Sequence, residues 1–156
     1  MRISIAAPGK LKHPGAIAYA DDYMKRIQRI MPVHRVPVRS PRRRHGGFDR
    51  AARSAEADNL LRSIPAGSVV CALDVEGRVF DSHSFLLWLV GLIESGTRDL
   101  VFVIGGPDGL EHHVIEASNY RVSLGPLVLP HDMAEVVLLE QIYRALTRWK
   151  GFPYHR

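Results

Sequence analysis

Short apolar runs separated by helix-length amphipathic segments constrain this chain more than any other feature. Residues 3–7, 33–38, 69–73 and 100–104 each have the length of a strand, and Val69-Val70-Cys71-Ala72-Leu73 and Leu100-Val101-Phe102-Val103-Ile104 are apolar throughout. An apolar run of that length without alternation reads as a strand covered on both faces. Between the runs lie helical patterns. Residues 14–29 open on Pro14-Gly15, suited to a first helical turn, and place Ile17, Ala20, Met24, Ile27 and Ile30 on one face. Residues 48–64 are rich in Ala, Arg and Leu, which favour helix. Residues 81–94 open on Asp81-Ser82, both good N-caps. A short helix is expected at 110–117, and a last helix at 134–150 with Asp132 as its cap. Brief extended pieces are expected at 121–123 and 127–129, around Gly125-Pro126. Parallel neighbours need crossovers of helix length, so the alternation predicts an α/β fold with a mostly parallel sheet flanked by helices. Neither repeat nor linker interrupts the 156 residues, and a single domain over 1–156 is expected.

Composition narrows the function classes. With 46% hydrophobic residues the chain is globular rather than disordered. No apolar run approaches the roughly 20 residues that span a bilayer. Residues 1–9 read as strand and turn, not as a signal peptide. The single cysteine, Cys71, cannot pair within the chain and reads as a buried, inert thiol. No Cys/His cluster has metal-site spacing. A cytoplasmic protein with no metal and no membrane partner is expected. The net charge of +5 favours an anionic partner, nucleic acid first. Arg35, Arg39, Arg42, Arg43 and Arg44 fall close together around Pro37 and Pro41, ahead of His45-Gly46-Gly47, so they read as a basic loop. No acid stands among them, and guanidinium forks match phosphate. Arg42, Arg43 and Arg44 are therefore expected to bind RNA.

Three segments carry chemistry. Gly105-Gly106-Pro107-Asp108-Gly109 follows the 100–104 run. It is neither a Walker A nor a G-x-G-x-x-G turn, so alone it fits a tight connection as well as a ligand loop. Gly105 is expected to leave room for a ligand because it lacks a side chain. In the last helix Val136, Val137, Leu138, Leu139, Ile142, Tyr143, Leu146 and Trp149 cover more than one stripe. Burial on two sides is expected, with one of Leu139 and Ile142 in the core and the other at a subunit interface. Glu140 and Arg144 stand at i, i+4 on the same helix. Finally, Tyr154-His155-Arg156 places a phenol, an imidazole and a guanidinium in consecutive positions, all groups that orient or deprotonate a substrate.

Taken in order, A-P-G-K-L-K near the N-terminus, A-L-D-V-E-G at 72–77, F-V-I-G-G-P-D-G-L at 102–110, L-P-H at 129–131, E-Q-I-Y-R-A at 140–145 and the terminal Y-H-R resemble the small SPOUT-class methyltransferases called RlmH, the ribosomal RNA large subunit methyltransferases H. The resemblance covers essentially the whole chain. It implies a C-terminal trefoil knot, a homodimer, and S-adenosylmethionine as methyl donor. The implied reaction is methylation of N3 of pseudouridine 1915 in 23S rRNA on the assembled ribosome. Carried over by residue, cofactor contacts fall on Leu73, Gly105, Leu124, Gly125, Pro126, Leu127, Val128 and Leu129. The catalytic surface falls on His131, Glu140, Arg144, Tyr154, His155 and Arg156. Two positions depart from the family's pattern: Glu135, where many relatives carry a basic residue, and Pro8. A transfer-RNA methyltransferase of the same class and a non-enzymatic ribosome-binding protein are the competing readings. The first leaves little room for added RNA-binding segments, and the second leaves the glycine loop and the tail unexplained.

Overall fold

The computed structural model describes residues 1–41 and 49–154, in the order β1 (Arg2–Pro8), α1 (Pro14–Gln28), β2 (Val33–Val38), α2 (Arg50–Ser63), β3 (Val69–Val79), α3 (Ser82–Glu94), β4 (Asp99–Val103), α4 (His112–Glu116), β5 (Tyr120–Ser123) and α5 (His131–Trp149). The strands form one sheet in the order β2-β1-β4-β3-β5, and every neighbouring pair is parallel. All five carboxyl ends therefore open onto the same edge, where open α/β sheets place their ligands.

Alternate residues of each strand feed two cores. Ile3, Ile5, Leu100, Phe102 and Ile104 pack with α1, α3 and α5, while Ala6, Val70, Val101 and Val103 pack with α2 and α4. Double coverage is why β4 carries no polar residue after Asp99. Cys71 is buried in the first core, and burial pushes its thiol pKa up, as expected of an inert side chain.

Several expectations are corrected. β3 runs on to Val79: it pairs with β5 through Leu73, bulges, and pairs again at Arg78 and Val79. The bulge carries Asp74-Val75-Glu76-Gly77, whose polar and glycine residues broke the apolar signal. Residues 127–129 form no strand; they are a loop leading into α5. Asp132 does not cap α5, which begins at His131 after Pro130. Its carboxylate instead accepts the backbone N–H groups of Lys12 and His13, both at 2.8 Å, and ties the β1–α1 loop to α5. Leu139 and Ile142 are both fully buried in this chain's own core. Arg35 does not belong to a free basic loop: its guanidinium donates to Asp21 (2.8 Å) and to Glu135, which is itself buried. Arg42, Arg43 and Arg44 lie outside the described residues.

Candidate functional site

A cavity of about 740 Å³ opens beyond the carboxyl ends of β4 and β5 and beside the bulge of β3, within the range of small-molecule sites. Leu73, Gly105, Leu124, Gly125, Leu127, Val128 and Leu129 line it, which is seven of the eight expected cofactor residues. Pro126 is exposed and outside the lining. The loop after β4 folds tightly on itself through a Gly109 N–H to Gly106 carbonyl bond of 2.9 Å. A Cβ on Gly105 would stand 2.6 Å from the carbonyl carbon of Gly109 and 2.7 Å from the nitrogen of Leu110. Closure of the loop itself thus demands glycine here, independently of any ligand.

Three polar side chains enter this lining, Asp74, Asp108 and His131. His131, the first residue of α5, donates Nδ1–H to the Gly105 carbonyl at 3.2 Å. A carbonyl can only accept, so the bond fixes the proton on Nδ1 and leaves Nε2 as acceptor in the neutral ring. Asp74 is held by Arg121 at 3.1 Å, and the same guanidinium nitrogen reaches Glu76 at 2.7 Å. Glu76, then Asp74, hold the Arg121 pKa up against desolvation.

The remaining candidates gather elsewhere. α5 ends in a Schellman turn: Phe152 N–H donates to the Thr147 carbonyl (2.8 Å), Gly151 N–H to Arg148 (3.1 Å), and Gly151 has φ of 74°. The turn folds the tail back along the helix. The Tyr154 ring then meets Tyr143 edge-on, with centroids 4.7 Å apart, and lies under the Arg144 guanidinium at 5.3 Å. Arg144 donates to Glu140 at 2.6 and 3.0 Å, Tyr154 donates to the same Glu140 oxygen at 3.3 Å, and Tyr23 of α1 bonds the Tyr154 hydroxyl at 3.2 Å. Burial first, then the Tyr23 and Glu140 contacts, raise the Tyr154 phenol pKa far above its ordinary value. Tyr154 is therefore a hydrogen-bond donor at neutral pH and not a base.

His131 and Glu140 are nine residues apart on α5, about 13 Å along its axis at the α-helical rise. The six expected catalytic residues thus divide: His131 belongs to the cavity, while Glu140, Arg144 and Tyr154 form a second cluster farther along the helix. His155 and Arg156 lie outside the described residues. Sequence reasoning passed over Asp74, although it sits inside A-L-D-V-E-G, and passed over Gln141, whose amide donates to Glu140 at 2.6 Å. Tyr23 gave no signal, because its partner is 131 positions away.

Known proteins match along the whole chain. The family described as "Predicted SPOUT methyltransferase" covers residues 1–155. A protein of Gemmatimonas aurantiaca called "Ribosomal RNA large subunit methyltransferase H" is 38% identical over 100% of both chains. One of the same name from Ruegeria sp. is 35% identical over 100% of this chain and 99% of its own. Among solved structures, a probable methyltransferase from Bordetella pertussis aligns with a TM-score of 0.56 at 18% identity, covering 93% of this chain and 96% of that one. A probable methylase family protein from Haemophilus influenzae aligns at 0.60 and 16%, covering 99% and 70%. These two likenesses concern the fold, whereas the full-length identities reach further: the chain belongs to the SPOUT methyltransferases and, within them, to the family of ribosomal RNA large subunit methyltransferase H.

Proposed function

We propose that the chain is a cytoplasmic homodimeric methyltransferase, one domain over 1–156. In this reading it transfers a methyl group from S-adenosylmethionine to N3 of pseudouridine 1915 of 23S rRNA on the assembled ribosome, and the C-terminal part of the chain is threaded as a trefoil knot. The observation that carries the reading is the cavity at the carboxyl edge of the sheet, lined by seven of the residues the family resemblance names. Its lining fits the donor. Leu73, Ile104, Leu127 and Val128 offer apolar surface to adenine, the two loops offer backbone groups to the ring edge, and Asp74 offers a carboxylate to a cationic ligand.

When bound, S-adenosylmethionine supplies an electrophilic methyl on a sulfonium, displaced in line. Everything else falls to side chains. N3–H lies between two carbonyls and must lose its proton. Imidazoles titrate near neutrality, and His155 is the proton acceptor we assign. Arg144 stays charged, its pKa raised chiefly by Glu140, but that same carboxylate offsets its field. Arg144 therefore orients the Tyr154 ring, and Arg156 stabilises the anionic base. Tyr154, its one O–H held by Glu140, stacks on the unstacked base.

The division of the catalytic residues supports a shared site. Tyr154 is anchored at Glu140, while the same chain's cavity lies at His131, so the tail serves the cavity of the second subunit. Leu127, Val128 and Met133 are apolar and exposed around the cavity, and Tyr19 and Phe152 are exposed on α1 and the tail; a two-fold partner would cover such surfaces. The experiment mixes a chain lacking Tyr154-His155-Arg156 with a Gly105→Val chain, each dead as a homodimer and each shown by circular dichroism to remain folded, because valine presses on the loop backbone, and measures transfer to ribosomes. Shared sites recover one working centre per heterodimer. No recovery in a verified heterodimer would assign the tail to its own subunit's cavity, and full activity of the tail-deleted homodimer would remove the tail from catalysis.

A further inference from the structure

A second cavity, of about 480 Å³, lies beside the first. The opening turns of α5 separate the two: Ala134 lines the first and Glu135 the second, and among the described residues none lines both. The wall of the second cavity is apolar, from Ile5 and Ala7 of β1, Leu11, and Ile17 of α1. Ile17 is 37% exposed, although its helical spacing puts it on the same face as the buried Ala20, Met24 and Ile27. Among the described residues the charged lining is balanced, with Lys10 and Arg35 against Asp21 and Glu135. An apolar wall with balanced charge and both donors and acceptors suits a neutral planar ring bearing N–H and C=O groups. The rim is cationic. Lys10, Lys12, His13 and Arg39 are exposed, and a Gly9 N–H to Val38 carbonyl bond of 3.1 Å brings the two loops that carry them together. Single-stranded nucleic acid is held by this combination, a basic track for the backbone beside a surface for the base.

We propose that the second cavity takes one unstacked base of the RNA substrate, a neighbour of the methyl acceptor, with its phosphates on Lys10, Lys12 and Arg39. The acceptor itself must approach the methyl group to about 3–3.5 Å, and α5 stands between this cavity and the first. The proposal rests on the RNA reading above. Uridine 5′-monophosphate, titrated into the methyl-labelled dimer, is the probe. Saturable NMR shifts at Ile5 and Ile17 are expected, with none from inorganic phosphate at equal concentration. Ile17→Trp should abolish them and the exposed Lys10→Ala weaken them, with S-adenosylmethionine affinity unchanged in both. On ribosomes both variants should raise KM roughly tenfold with little change in kcat, as loss of binding shared by the ground and transition states requires, a base contact for Ile17→Trp and a phosphate contact for Lys10→Ala. Shifts confined to Leu127 and Val128, shifts reproduced by inorganic phosphate, or a parental KM in both variants would overturn the assignment. A parent chain that transfers no methyl to ribosomes would sink the rRNA reading instead, and the nucleotide titration would still decide the cavity.

Discussion

Replacing Gly105 by alanine adds one methyl group where the loop after β4 has no space for it. The new Cβ would stand 2.6 Å from the Gly109 carbonyl carbon and 2.7 Å from the Leu110 nitrogen. Relief to an ordinary carbon contact near 3.5 Å requires the backbone to withdraw by about 0.9 Å. A side chain could swing aside, but both obstructing atoms are backbone, and Leu110 is anchored in the core. Overpacking of this kind costs about 1–3 kcal/mol. In a chain of this size that lowers Tm by roughly 2–12 °C. The withdrawn loop lines the cavity, so S-adenosylmethionine affinity should fall as well. Gly91→Ala is the internal control. Gly91 lies within α3, where an added Cβ would meet nothing within 4 Å. Alanine there should stabilise by about 0.5–1 kcal/mol through helix propensity. Differential scanning calorimetry and isothermal titration read both variants. A Gly105→Ala protein that melts with the parent and binds the donor equally well would refute the argument from loop closure.

Three other perturbations are specific. Arg35→Ala leaves the buried Glu135 carboxylate without its guanidinium and should cost about 3 kcal/mol in urea unfolding, the low end for a broken buried pair because Arg35 is partly exposed; Arg35→Met with Glu135→Leu should recover at least half, and a single variant as stable as the parent would contradict this. Tyr154→Phe removes a donor from Glu140 and should change stability by no more than about 1 kcal/mol while lowering methyl transfer, so parental turnover would count against the role given to the hydroxyl. Partial burial opposes ionisation of Asp132, but the N–H groups of His13 and Lys12 outweigh it and hold its pKa below the ordinary value. A carboxyl lowered on folding contributes stability above its unfolded value, about pH 4, and loses it as pH falls through the folded value; the gap between parent and Asp132→Asn should therefore close below pH 4, and an equal gap at pH 7 and pH 2 would be the wrong result.

Much of the fold was legible because covered strands and amphipathic helices write their environments directly into hydrophobic patterning. The 69–73 and 100–104 runs became adjacent parallel strands, and Asp81 caps α3 through a 2.6 Å bond to Ser84 N–H. Polar tertiary contacts were less legible. Asp132 has the composition of a cap, yet it spends its carboxylate on Lys12 and His13, about 120 positions away. Arg35 reads as part of a basic loop until Asp21 and Glu135 approach it from α1 and α5. Leu139 and Ile142 read as two faces, but α1 and α3 both pack on α5, and a helix covered by two neighbours buries a wide stripe within its own chain. Motif order named most of the cavity wall. The separation of His131 from the Glu140–Tyr154 cluster required the tail's path.

Mass spectrometry of 23S rRNA most directly tests the central claim. Ribosomes lacking the modification are incubated with the protein and S-adenosylmethionine carrying a labelled methyl group, and the fragment spanning position 1915 is isolated. One methyl group on N3 of that pseudouridine, absent when the tail-deleted chain is used, is the predicted result. An unlabelled fragment from a folded, donor-binding protein, or label at another nucleotide, would contradict it.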